Sequence, residues 1–179
     1  MENGRNILIA TVTLNQWAMD FKGNKERIIK SINIAKEKGA KIRVGPELEV
    51  SGYGCEDHFL ELDTIMHSWE VLADIIQSGC TQDILCDIGM PVNYTGVTYN
   101  CRVLVYNSNI LLIRPKIANA DDGNYRENRW FTPWKKGYEV QDFLLPEVII
   151  KLTGQTVSKF GIGIVQTNDL TYAPEICEE

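Results

Sequence analysis

The chain has 179 residues, of which 44% are hydrophobic and 23% are charged, and its net charge is -6 with a pI of about 5.0. A chain of this size can bury one sizeable core, so one domain is expected. The acidic balance argues against nucleic acid and anionic membrane as partners, because both require clustered cations. We find neither a signal peptide nor an apolar stretch of about 18 residues, and we expect a cytoplasmic protein.

The cysteine and histidine content bears on redox state and metal binding. The five cysteines are an odd number and lack CxxC spacing. This pattern predicts reduced thiols rather than a disulfide framework or a zinc site. The two histidines, His58 and His67, are too few for most metal sites, so no metal is expected.

The first 44 residues have the pattern of a β-α-β unit. An apolar, β-branched run over 7–14 predicts a buried strand. Asn24 then opens a helix that Gly39 ends, and residues 41–44 form a second strand. The apolar side chains of this helix recur at i, i+4 and i+7: Ile28, Ile32 and Ala35. Such a unit implies parallel neighbouring strands and an α/β fold.

The remaining elements follow in order. A loop rich in glycine and acidic residues over 45–61 precedes a helix over 68–77, for which His67 is the entry. Strands are predicted over 84–92 and 98–106, and the second forms a hairpin with 110–113 through a turn at 107–109. We then expect a long structured loop over 116–142, a short helix over 146–152 and a buried strand over 162–165.

Three side chains that carry chemistry each lie just beyond a predicted strand: Glu47, Lys116 and Cys177. Taken singly, each has an ordinary interpretation, namely a solvated carboxylate, an exposed lysine and an inert cysteine. If the strands share a sheet, however, their ends bring the three groups together. A carboxylate can then remove the thiol proton, and an ammonium can favour the thiolate and stabilise an oxyanion. This set supports acyl transfer without a histidine.

Several motifs, spread along nearly the whole chain, are similar to one known family. The chain resembles the N-terminal glutaminase domain of eukaryotic glutamine-dependent NAD⁺ synthetases, a nitrilase-superfamily (carbon–nitrogen hydrolase) domain. The motifs that carry the resemblance are Leu14-Asn15-Gln16-Trp17, Gly45-Pro46-Glu47-Leu48-Glu49, Gly52-Tyr53-Gly54-Cys55, Asp87-Ile88-Gly89-Met90-Pro91, Tyr99-Asn100-Cys101-Arg102, Ile113-Arg114-Pro115-Lys116, Gly123-Asn124-Tyr125-Arg126-Glu127, Phe131-Thr132-Pro133-Trp134 and Glu175-Ile176-Cys177-Glu178-Glu179.

The resemblance implies a fold and a set of roles. The fold would be an α-β-β-α sandwich that is incomplete at the C-terminus. Glu47 would be the general base, Lys116 the oxyanion stabiliser and Cys177 the nucleophile. Further residues are implied to bind substrate or support the catalytic groups: Tyr53, Glu127 and Glu178.

The resemblance also implies the reaction and its partners. Cys177 would attack the glutamine amide through a thioester and release ammonia for ATP-dependent amidation of nicotinic acid adenine dinucleotide to NAD⁺. No cofactor is implied for this segment, because ATP and Mg²⁺ serve a synthetase domain that is absent from the sequence. A homo-oligomer is implied for the full-length proteins.

The sequence departs from the family pattern in three places. The sandwich strands beyond Cys177 are missing, so residues 1–179 form a partial glutaminase domain that we expect to be poorly stable alone. Residues 168–174 differ from the family, and Pro174 restricts the approach to Cys177. Residues 119–122 also differ. Two alternatives therefore stay open: a stand-alone amidase for another small amide, and an impaired remnant that binds full-length subunits.

Overall fold

The computed structural model describes residues 6–168, 170–177 and 179. Its helices are α1 (Phe21–Glu37), α2 (Leu62–Gln77), α3 (Glu127–Trp130) and α4 (Glu147–Thr153), and a 3₁₀ segment covers Tyr53–Leu60. The strands are β1 (Ile9–Thr11), β2 (Ile42–Val44), β3 (Leu85–Tyr94), β4 (Val97–Tyr106), β5 (Asn109–Pro115), β6 (Val140–Leu144), β7 (Val157–Gly161), β8 (Val165–Gln166) and β9 (Thr171–Tyr172). Within the described ranges, no helix has the length and apolar character that crossing a membrane requires.

The predicted β-α-β unit is confirmed, with a shorter first strand and a longer helix. β1 and β2 pair in parallel, and β2 continues in parallel with β3. Helix α1 begins before Asn24 because the Asp20 carboxylate accepts a hydrogen bond from the Gly23 N–H and caps the helix. Asn24 is instead buried inside α1, where its side chain donates to the carbonyls of Trp17 and Val50.

Seven strands form the main sheet, in the order β1-β2-β3-β4-β5-β7-β6. β4 and β5 form the predicted antiparallel hairpin. The sequence analysis missed that β3 and β4 form a second hairpin, which turns through Thr95 and Gly96, both at positive φ. The two hairpins place three long strands at the centre of the sheet.

Helices α1, α2 and α4 cover one face of the sheet, and most of the core lies between. Helix α2 begins at Leu62, six residues before the predicted start, so the expected helix entry at His67 is wrong. The reason is packing: Thr64, Ile65 and Ser68 are already buried on the inner side of the first two turns. The observed layers confirm an α/β fold.

The opposite face of the sheet, which we call the far face, has an apolar patch made of Ile42, Leu85, Leu104 and Leu112. Residues 165–168, 170–177 and 179, which we call the strap, lie across this face and pack Val165, Leu170 and Tyr172 against the patch. Within the strap, β8 and β9 form a separate two-stranded sheet.

Two predictions in the C-terminal third are wrong. The strand in this region is β7 rather than the expected 162–165. In β7, Ser158 and Phe160 are buried whereas Val157 and Lys159 are exposed, which is the alternation of a strand. Gly161, at a φ of 137°, ends that strand, and only Val165 of the predicted range is in a strand. The expected loop over 116–142 also contains α3 and the start of β6.

Candidate active site

Glu47 and Lys116 meet at the carboxyl ends of β2 and β5, as their positions in the sequence predict. The Lys116 Nζ atom lies 2.7 Å from Glu47 Oε1 and 2.8 Å from Glu127 Oε2. The side chains of Lys116 and Glu127 are each 1% exposed, whereas that of Glu47 is 21% exposed. A buried ammonium is thus held between one buried carboxylate and one that reaches solvent.

The loop that carries Glu47 is fixed by a buried ion pair on the far face. Arg102 of β4 donates to Asp87 Oδ1 of β3 at 2.6 Å. The same guanidinium donates to the backbone oxygens of Gly45 and Pro46, at 2.9 and 3.1 Å. Because these carbonyls immediately precede Glu47, the ion pair sets where the carboxylate leaves the sheet.

Gly89 lets this loop lie directly on β3. A Cβ atom at Gly89 would be 2.5 Å from the Pro46 oxygen and 2.6 Å from the Leu48 nitrogen. Both neighbours are backbone atoms, so a side chain here cannot be accommodated by a rotamer change. The glycine in the Asp87-Ile88-Gly89 motif is therefore required by the close approach of the Glu47 loop.

Lys116 keeps its charge despite burial. Desolvation opposes the ammonium form, but the hydrogen bonds and charges of Glu127 and Glu47 outweigh it and raise the pKa of Lys116. The side chain is therefore a fixed cation at neutral pH. A fixed cation inside a cleft can stabilise an oxyanion that develops beside it.

Glu127 is held in place from two sides. The Tyr53 hydroxyl donates to Glu127 Oε1 at 2.6 Å, and the Ala120 N–H donates to Glu127 Oε2 at 2.9 Å. Burial, and then the hydrogen bond to this carboxylate, raise the pKa of Tyr53, so the phenol stays protonated and keeps donating. Tyr53 is therefore connected to Lys116 through Glu127.

Cys177 approaches from the strap rather than from the main sheet. It is the one exposed cysteine among five, and its φ of 59° is a left-handed value that L-residues seldom adopt. Tyr172, in the same strap, donates its hydroxyl to Asp87 on the far face. The expectation that all three candidate groups follow strands of one sheet is therefore wrong for Cys177, which follows β9.

Glu179 ties the strap to the strand end that carries Lys116. Its carboxylate, 1% exposed, accepts hydrogen bonds from the Arg114 guanidinium and from the backbone N–H groups of Ile117 and Ala118. It also accepts from the Ile176 N–H at 3.1 Å. Cys177 is therefore fixed close to the Lys116 loop. The candidate Glu178 lies outside the described residues.

An open cleft of about 960 Å³ brings the candidate groups together. Glu47, Tyr53 and Cys177 line it, together with the 119–125 loop. Asp121 and Asp122 give this loop an acidic rim, at one of the places where the sequence departs from the family pattern. Within the described part of the chain, no three histidine, cysteine or acidic side chains converge as a metal site would need.

Polar residues on the far face complete the site, and the sequence analysis did not select them. They are Asp87, Asn100, Arg102, Arg114 and Glu179. For the four on β3, β4 and β5, the signal that was available is alternation: charged or amide side chains stand at inward positions of strands that are otherwise apolar. Glu179 lies in no strand, and no such signal identifies it. Such residues must be paired within the fold, which distinguishes them from surface polar groups.

Comparison with known proteins identifies the family of the chain. Residues 8–179 match the family described as carbon-nitrogen hydrolase. The glutamine-dependent NAD(+) synthetases of Dictyostelium discoideum and Homo sapiens are 58% and 54% identical over 98% of this chain, which spans 25% of their length.

A solved structure shows the same fold. The crystal structure of a glutamine-dependent NAD(+) synthetase from Cytophaga hutchinsonii superposes with a TM-score of 0.86 at 33% identity. The match covers 97% of this chain and 28% of that one. The resemblance stated from the sequence motifs is confirmed.

Proposed function

Because the chain belongs to the carbon–nitrogen hydrolase family, we propose that it hydrolyses the side-chain amide of glutamine to glutamate and ammonia. The observation that carries the proposal is the buried Lys116 ammonium, held by Glu127 and by Glu47, which lines the same cleft as Cys177. The relatives that match 98% of this chain are named for their dependence on glutamine, which supports the choice of substrate.

In the first half of the proposed reaction, Glu47 removes the Cys177 proton and the sulfur attacks the amide carbon of glutamine. The negative charge that develops on the amide oxygen is stabilised by the Lys116 ammonium. Glu47 returns the proton to the departing nitrogen as the carbon–nitrogen bond breaks. Ammonia leaves, and a γ-glutamyl thioester remains on Cys177.

In the second half, Glu47 removes a proton from water, and the hydroxide attacks the thioester carbon. Lys116 stabilises the second oxyanion in the same position. The carbon–sulfur bond breaks, and the sulfur recovers a proton from Glu47. Glutamine and water are thereby converted into glutamate and ammonia, and every group of the protein returns to its initial state.

Tyr53, Glu127 and Glu178 have supporting roles in this proposal. Glu127 keeps Lys116 charged and aimed at the cleft, and Tyr53 fixes Glu127 while facing the substrate. Glu178, next to the nucleophile in sequence, contacts glutamine. The acidic rim at Asp121 and Asp122 suits a substrate whose α-amino group is cationic.

The wider role follows the relatives. We propose that the ammonia serves ATP-dependent amidation of nicotinic acid adenine dinucleotide to NAD⁺ in the cytoplasm, in a homo-oligomeric enzyme with a synthetase domain. The names of the relatives support the product, and the span of 25% of their length leaves room for a second catalytic domain.

The decisive experiment measures ammonia release from glutamine and traps the thioester with hydroxylamine as γ-glutamyl hydroxamate. We expect both products from the wild-type chain and neither from Cys177→Ala. Cys80→Ala, which removes a buried thiol on the helix side of the sheet, is the matched control and should retain both. Equal ammonia release by Cys177→Ala would overturn the proposal, and so would a folded wild-type chain that releases none.

A panel of small amides tests the alternative of a stand-alone amidase. Under the proposal, glutamine is hydrolysed in preference to amides that lack an α-amino group, such as butyramide. The opposite preference would favour the amidase interpretation. Copurification with full-length synthetase subunits without ammonia release would favour the interpretation as a subunit-binding remnant.

A further inference from the structure

A buried amide lies directly behind Glu47. Asn100 of β4 is 1% exposed, and its Nδ2 atom donates to Glu47 Oε1 at 2.6 Å. Lys116 Nζ donates to the same oxygen at 2.7 Å. Among the contacts of the described residues, Glu47 Oε2 accepts no hydrogen bond. The two donors thus saturate one carboxylate oxygen and leave the other for the cleft that Glu47 lines.

The orientation of the Asn100 amide is fixed by electrostatics. A flipped amide would place its carbonyl oxygen against the Glu47 carboxylate, and two acceptors would face each other. In the observed orientation, Asn100 Oδ1 is buried without a hydrogen-bond partner among the described residues. An unpartnered buried carbonyl is unfavourable, so the packing of β4 alone does not account for an asparagine here.

The backbone contacts of position 100 do not explain the choice of asparagine either. The Asn100 carbonyl accepts a hydrogen bond from the Lys116 N–H at 2.8 Å, and any residue would supply that carbonyl. The feature that requires an amide is the hydrogen bond from Nδ2 to Glu47. A leucine of similar size would fill the same space without burying an unpaired oxygen.

We propose that Asn100 is a positioning residue that holds Glu47 Oε1 beside the Lys116 ammonium and thereby presents Oε2 to the Cys177 thiol. This inference rests on the proposed function, in which Glu47 is the base. Asn100 lies behind Glu47 and acts through it. Its hydrogen bond to this carboxylate fixes the direction in which the carboxylate faces.

Other groups also face Glu47. They are Lys116 at the end of β5, Glu127 of α3, Tyr53 of the 3₁₀ segment, Asp121 and Asp122 of the cleft loop, and Cys177 of the strap. A test must therefore isolate the contact between Asn100 and Glu47 from these neighbours.

An NMR comparison isolates this contact without requiring turnover. We would record the Asn100 side-chain ¹⁵N–¹H₂ resonances at one pH in the wild-type chain and in Glu47→Gln. We expect one Asn100 amide proton of the wild type to resonate downfield, because it forms a short hydrogen bond to a carboxylate, and to move upfield in Glu47→Gln. Resonances that are the same in both proteins would overturn the inference even if Asn100 variants fail to fold.

Kinetics give a second readout. In Asn100→Leu we expect kcat for glutamine hydrolysis to fall about ten- to a hundredfold, as for loss of one hydrogen bond to a charged group, with KM nearly unchanged. Asn100→His, which can still donate from its ring, should recover part of kcat.

The control is Asn93→Leu in the neighbouring strand. Asn93 pairs with Thr98 in the same β3–β4 hairpin and bonds Thr98 Oγ1 rather than the site. It should leave both kcat and KM unchanged. Equal losses of kcat in Asn100→Leu and Asn100→His would indicate a structural role and contradict the inference. An NMR difference as expected in a chain that does not hydrolyse glutamine would retain the positioning role and reject the proposed substrate.

Discussion

At the residue scale, the site depends on the charge balance around one buried amine. Lys116 is in contact with two carboxylates, and only Glu47 reaches the cleft. In the proposed reaction, the two acids therefore take different roles: the exposed one exchanges protons with substrate, and the buried one maintains the cation. This division explains why two glutamates are placed around a single lysine.

Glu127→Gln tests the contribution of the buried carboxylate that pairs with Lys116. The substitution keeps the shape of the side chain but removes a fully buried charge beside Lys116. We expect the free energy of unfolding to fall by about 2–4 kcal/mol. The loss is smaller than for breaking an isolated buried ion pair, because Lys116 keeps Glu47 as a second partner. Asp142→Asn, which breaks an exposed pair with Lys159, is the control and should cost at most about 1 kcal/mol in urea unfolding. Equal losses would contradict the assigned importance of Glu127.

The raised pKa of Lys116 predicts a pH window. A base whose pKa is higher in the folded state than in the unfolded state adds stability below the unfolded value, about 10.4 for lysine, and loses it as pH rises through the folded value. The difference in unfolding free energy between the wild type and Lys116→Met should thus be constant from pH 7 to about pH 10 and shrink above it. Shrinkage already between pH 7 and 9 would contradict the shift.

At the scale of elements, the geometry depends on how closely the Glu47 loop lies on β3. Gly89→Ala should push the Pro46–Leu48 backbone away from the sheet, since the new Cβ meets backbone atoms within 2.6 Å. We expect a loss of about 1–3 kcal/mol in unfolding free energy and a large loss of ammonia release. Gly54→Ala is the control, because a Cβ there meets only the Ala18 Cβ at 3.9 Å. A fully active Gly89→Ala protein would contradict the close-approach argument.

The elements that sequence reasoning located correctly are those with strong local signals. The parallel β1-α1-β2 unit and the β4–β5 hairpin have clear periodicity and turn residues, and the ends of β2 and β5 do place Glu47 beside Lys116. The start of α2 and strand β7 were missed because tertiary burial of Thr64 and Ser158, both polar, defines them.

The position of Cys177 was predicted for a reason that proved wrong. No periodicity indicates that the strap crosses the far face, because its position depends on two long-range contacts. Tyr172 reaches Asp87 and Glu179 reaches Arg114, each more than 60 residues away in sequence. The motif match around Cys177, rather than strand order, is what singled out this residue as the candidate nucleophile.

At the scale of the whole molecule, the two faces of the sheet differ in how they are covered. Three helices bury one face, whereas the strap covers only part of the other. An apolar groove of about 750 Å³ remains beside the strap, lined in part by Leu85, Leu111 and Val165. Partial cover of this kind is consistent with the limited stability expected for residues 1–179 alone.

The groove predicts binding of the hydrophobic dye ANS to the folded chain. We expect dye fluorescence well above that of a folded lysozyme standard, because the groove presents apolar surface to solvent. Leu111→Lys, at a position that is 36% exposed, should reduce the fluorescence. Tyr138→Lys alters a side chain that is 91% exposed and lies outside the groove, so it should leave the signal unchanged. Fluorescence at the level of the standard would contradict an open groove.

Four of the five cysteines are buried and one is exposed, and this difference has a practical consequence. Burial raises the pKa of the thiols of Cys55, Cys80, Cys86 and Cys101, which further lowers their nucleophilicity. A soluble electrophile should therefore label the chain once, at Cys177. The stoichiometry of such a label would count correctly folded molecules in a preparation, and a second adduct would report unfolding before any loss of secondary structure is visible.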